Sequence, residues 1–131
     1  MKSQLFLFIV FCLSITACRV PEPKYSLDIL QGSWLRTWST DWRSDSMEIN
    51  IVNNIATIVF VPSSSDFVLG KKKWTDISSI SEAGDFKLLD YSADTLPYNS
   101  IINMKGDSTL EIVSESNSNA PGGKQLWIKL P

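Results

Sequence analysis

With 131 residues, 44% of them hydrophobic and 20% charged, the chain has the length of one domain with its own core. Its formal net charge of −2 comes with no basic stripe, which argues against a nucleic-acid partner. It contains no histidine, no glycine-rich phosphate loop and no Gly-x-Ser-x-Gly elbow, so no enzyme activity, metal or cofactor is expected.

The N-terminal segment reads as an address. Lys2 supplies a positive start, Leu5 to Leu13 is an unbroken apolar run, and Ser14-Ile-Thr-Ala17 brings small residues up to Cys18. That is the layout of a secretory signal, shorter than the about 20 residues a membrane-spanning helix needs. Ile15-Thr-Ala-Cys18 resembles the lipobox of bacterial lipoproteins. The resemblance implies a signal peptide over residues 1–17, cleavage before Cys18, and acylation of the new N-terminus, palmitate included. Several acyl chains, at about 0.8 kcal/mol per buried methylene, make the membrane an obligatory partner. Cys12 falls inside the removed segment, so the mature chain holds no internal disulfide and must rest on its core.

The mature chain is 114 residues long, with 11 basic and 14 acidic residues. Residues 18–25 form a lipidated N-terminus and tether, because Pro21 and Pro23 favour extended backbone. Some bacterial lipoproteins are sent to the cell surface by an acidic run after the cysteine. Here Glu22 is the one acid in that stretch, and the expected location is the periplasmic face of the outer membrane.

From residue 26 the pattern changes to a domain. Ser26 to Gly32 reads as one short helical turn with a serine start and a glycine stop. Gly32 onward is expected to be a strand: Trp34, Trp38 and Trp42 also fit a helix, but Gly32, Ser33, Thr37, Ser39 and Thr40 are poor helix interiors. Met47, Ile49 and Ile51 alternate with polar residues, Asn53-Asn54 reads as a two-residue turn, and Ile55 to Val61 is β-branched and apolar. Further strands are expected over Phe67 to Trp74, around Ile77 to Ile80, and over Phe86 to Tyr91. Tyr98 to Met104, Thr109 to Ser114 and Lys124 to Leu130 complete the series. Eight or nine short strands joined by turns predict an all-β fold: an antiparallel up-and-down β-barrel of about eight strands.

Gly32-Ser-Trp34, placed after a helical turn and before this meander, resembles the opening signature of lipocalin-like proteins. The resemblance implies that Trp34 plugs the closed end of the barrel beneath a basic side chain from the end of the chain. Lys129 or Lys124 stands where the family usually has arginine. The expected role is then a lipid-anchored cell-envelope module that holds a small apolar or amphipathic ligand in the barrel.

Candidate ligand residues follow from the strand period. If Trp34 faces inward, Trp38 shares that face about 13 Å further along, Trp42 comes near the rim, and Arg36 between them supplies a polar contact. The alternative is a surface lipoprotein that binds glycans or another protein through loops and exposed tryptophans. Asp41 with Asp45 or Glu48, and Asp90 with Asp94, are carboxylate pairs, expected to be solvated loop charges rather than a calcium or glycosidase site. Lys71-Lys-Lys73 reads either as an anion clamp or, as expected here, as a solvent-facing strand edge.

Overall fold

The computed structural model describes residues 21–40 and 46–131. A 3₁₀ turn over Leu27–Leu30 precedes eight strands: β1 Gly32–Ser39, β2 Glu48–Val52, β3 Ile55–Phe60, β4 Lys72–Ser79, β5 Phe86–Tyr91, β6 Pro97–Met104, β7 Thr109–Ser114 and β8 Lys124–Lys129. Each strand pairs antiparallel with the next, and β8 pairs with β1, so the sheet closes into an up-and-down barrel with no free edge. The expected fold class is what the chain adopts. Two expected strands change: Phe67 to Lys71 lies outside β4, and the segment around Ile77 is the far end of that same strand.

The strands form where side chains alternate between core and solvent. In β5, Phe86, Leu88 and Asp90 are buried while Lys87 is exposed. In β7, Leu110 and Ile112 are the buried pair. Asn53 turns β2 into β3 with a positive φ of 57°, a conformation that asparagine tolerates.

One end of the barrel is closed by the 3₁₀ turn. Leu30 is fully buried, Tyr25, Leu27 and Ile29 pack against the core, and Gln31 Nε2 donates to Leu27 O (3.1 Å) and Asn53 O (2.8 Å). Trp34 stands directly above, fully buried, and its Nε1 donates to Leu30 O at 2.8 Å. Lys129 Nζ lies 5.7 Å from the centre of the Trp34 ring and donates to Ile29 O at 3.0 Å. Lys124 stands apart, with its Nζ 3.6 Å from Glu111. Gly32 begins β1 at φ +112°, a value that side-chain-bearing residues rarely adopt. The middle of the barrel is filled by Ile49, Ile51, Ile58, Phe86, Ile102, Leu110 and Ile112. Trp74 and Trp127, edge to face with ring centres 5.1 Å apart, are also part of this apolar filling.

Candidate functional site

The strand ends opposite the 3₁₀ turn surround a cavity of about 430 Å³. Its walls combine residues of β1, β4, β5, β6, β7 and β8 with the loops that follow β3, β5 and β7. The interior thus changes character along its axis: apolar near the 3₁₀ turn, polar and charged toward the mouth.

Two β-bulges create that polar layer. The β1–β8 register slips between Arg36 and Trp38, so Arg36 faces Trp127 while Trp38 faces Leu126. One extra residue, Thr37, breaks the alternation. Trp34, Arg36 and Ser39 are buried, and Trp38 turns outward with 43% of its surface exposed. The expected inward position of Trp38 is therefore corrected: Arg36 lines the cavity and Trp38 does not. Trp42 and Cys18 lie outside the described residues, as do Asp41 and Asp45.

The second bulge is in β4. Trp74 pairs with Ala56 and Lys72 with Thr57, which leaves Lys73 as the extra residue. Lys73 and Trp74 are consequently both buried. This corrects the solvent-facing assignment of the lysine run, for Lys71 and Lys72 are exposed whereas Lys73 is 2% exposed.

Lys73 forms an ion pair with Asp90 Oδ1, and its Nζ also donates to Tyr91 O at 2.8 Å. Asp90 Oδ2 accepts from Gln125 Nε2 at 2.8 Å, and the same amide donates to Gly122 O at 2.9 Å. Gln125 Oε1 in turn accepts from Trp127 Nε1 at 3.1 Å. A continuous polar layer thus ties β4, β5 and β8 together above the apolar core. Asp90 is not the solvated loop charge expected of it: it shares the inward face of Phe86 and Leu88 and pairs across the barrel wall. Among the described residues no cluster of carboxylates is placed to hold a metal ion.

The electrostatics of this layer are those of buried groups. Burial pushes the Lys73 pKa below its ordinary value, Asp90 opposes that shift, and Arg36 adds to it as a second cation close by. Arg36 also stacks its guanidinium 5.7 Å from the Phe67 ring centre and 5.9 Å from that of Trp127, while Lys73 Nζ is 5.0 Å from Phe67. Ser39 lines the same cavity, is 4% exposed, and its Oγ has no hydrogen-bond partner among the described residues.

Of the residues expected to contact a ligand, the structure puts Arg36 at the cavity and Trp38 on the outer wall. Gly32, Trp34 and Lys129 come together at the opposite, closed end. From the sequence, Lys73 and Asp90 are expected as solvent-facing charges, and Gln125 and Ser39 carry no site role there. The available signal was the period of β5, where a charged residue continues the face of two apolar ones and so requires a buried partner. Comparison with protein-family profiles, with curated proteins and with solved structures gives no match for this chain.

Proposed function

We propose that the protein is a lipid-anchored cell-envelope binding module of lipocalin-like type, which holds a small amphipathic ligand in the open end of its barrel. The observation that carries this reading is the cavity of about 430 Å³, a size within the ordinary range of ligand sites, floored by a preorganised polar layer. Because side chains fill the rest of the barrel, a ligand enters only the mouth half. A long chain threaded to the closed end is excluded by Trp34, Trp74 and Trp127, all fully buried.

Anchoring rests on the lipobox-like Ile15-Thr-Ala-Cys18 and orients the domain. The chain joins the barrel at its closed end, where Tyr25 packs, and seven residues from Cys18 to Tyr25 span at most roughly 25 Å. The closed end therefore lies toward the bilayer and the mouth away from it, toward the periplasm if the protein sits on the inner leaflet of the outer membrane. The outward Trp38 favours a second reading, in which the outer wall binds a glycan or a protein by stacking. Organic extraction of protein purified from cell envelopes, followed by mass spectrometry, tests the first reading. A stoichiometric small amphiphile is expected, and an extract that yields no compound in stoichiometric amount would argue for the second.

A further inference from the structure

The buried hydrogen-bonding groups left over in the cavity are of both kinds, and the mixture selects a ligand. Ser39 and Ser100 line the cavity from β1 and β6, at 4% and 2% exposure. Ser39 Oγ has no partner among the described residues. A hydroxyl has one donor and two acceptor positions, so Ser39 offers both. Ser100 Oγ donates to Tyr98 O at 3.4 Å, which spends its hydrogen and leaves its lone pairs. Lys73 has three N–H groups, of which Asp90 and the Tyr91 carbonyl take two.

The charged neighbours of these groups are engaged already. Lys73 and Asp90 hold each other, Asp90 Oδ2 accepts from Gln125, and Arg36 and Asp66 each have interactions of their own. What stays open is therefore a set of buried donors, Ser39 and Lys73, beside buried acceptors, Ser39 and Ser100. A carboxylate only accepts and leaves the Ser100 lone pairs unmet. An ammonium only donates and leaves the Ser39 and Lys73 hydrogens unmet. A ligand hydroxyl donates and accepts, and two adjacent hydroxyls serve both kinds of group together. The orphaned Ser39 Oγ also marks the cavity as incomplete when empty, since a buried hydroxyl without a partner is a cost to the fold.

Resting on the binding-module reading above, we infer that the ligand of the barrel's open end carries an uncharged head group with adjacent hydroxyls, a diol on a short apolar tail. The head lies on the polar floor against Ser39, Ser100 and Lys73. The tail runs toward the mouth along Phe67, Tyr98 and Pro121, cavity residues that are half-buried or exposed. It has no path the other way, because Trp34, Trp74 and Trp127 already fill the apolar depth of the barrel.

The test is a calorimetric titration of the full chain, anchored in phosphatidylcholine vesicles, with three eight-carbon probes: octane-1,2-diol, octanoate and octylammonium. Empty vesicles give the partitioning background. The diol is expected to bind about tenfold tighter than either ion, the effect of leaving one buried group unmet. Ser39→Ala should weaken the diol several-fold. In urea melts without ligand the same variant should be no less stable than the native protein, because it deletes an unpartnered hydroxyl. Octanoate or octylammonium binding as tightly as the diol would overturn the inference while leaving the binding-module reading in place. So would diol binding untouched by Ser39→Ala, or a ligand-free Ser39→Ala barrel that is clearly less stable, since its hydroxyl would then serve the fold. Absence of binding by all three probes would remove both the inference and the cavity reading beneath it.

Discussion

Removing the Lys73 charge is the most informative single perturbation of the barrel. Lys73→Met keeps the length of the side chain and deletes its ammonium, leaving Asp90 as a carboxylate that is 7% exposed and has lost one of its two partners. Breaking a buried pair from one side costs about 3–5 kcal/mol. Gln125 still donates to Asp90 Oδ2 at 2.8 Å, so the expected loss lies near the lower end, about 3 kcal/mol. Lys73→Met with Asp90→Asn removes both charges and keeps an acceptor for Gln125. That double variant should fall within about 1 kcal/mol of the native protein, because paired removal of buried ions is often neutral or better. The coupling between the two sites is then about 2 kcal/mol or more, well above the scatter of additive sites. Urea melts of Lys73→Met, Asp90→Asn and the double variant, followed by tryptophan fluorescence, measure the three differences from the native protein, at a slope of about 1–3 kcal/mol per molar urea. A Lys73→Met loss below about 1 kcal/mol, or a double variant as unstable as the sum of its parts, would refute the buried pair.

The same lysine gives a pH prediction. Its pKa in the fold lies below 10.5, so between the two values the unfolded chain binds the extra proton and stability rises with pH. Native protein should therefore gain on Lys73→Met as pH climbs toward 10.5 in paired melts, and a falling difference would contradict the shift. Trp34→Ala should cost about 3–5 kcal/mol as a fully buried ring, against under about 1 kcal/mol for Trp38→Ala on the outer wall. Equal losses in denaturant melts would place the two rings alike. Gly32→Ala forces a side chain to φ +112° and should cost about 1–3 kcal/mol, although its Cβ meets nothing closer than Lys129 Cε at 3.7 Å. A neutral result would mean that β1 starts differently. Cys18→Ser should abolish incorporation of labelled palmitate in cells, and an unlabelled native protein would remove the anchor from the account.

The barrel was legible because its strands keep strict alternation over most of their length. Phe86 to Tyr91 and Thr109 to Ser114 are strands with the bounds that their period suggests, and the turn at Asn53-Asn54 is where two residues tolerant of positive φ stand together. The site was largely illegible because it depends on bulges. A single inserted residue at Thr37 sends Trp38 outward, and another at Lys73 turns the third lysine of a run into the core. Nothing in a single sequence marks where an alternation skips, since the register is decided by pairing with β8 and β3 far along the chain. Asp90 carries a signal that its assignment as a loop charge passed over: Phe86, Leu88 and Asp90 share one face on the strand period alone.

Whether a ligand occupies the inside of the barrel or its outer wall is decided by which tryptophan senses it. Trp127 lies 5.9 Å from the Arg36 guanidinium and under the cavity's polar layer, whereas Trp38 faces solvent on the opposite side of the same wall. A fluorescence titration with small amphiphiles and with short glycans should give an emission change with the amphiphiles. That change should survive in Trp38→Phe and disappear in Trp127→Phe. A change that survives in Trp127→Phe and vanishes in Trp38→Phe would put the ligand on the outer wall and contradict the cavity as the binding site.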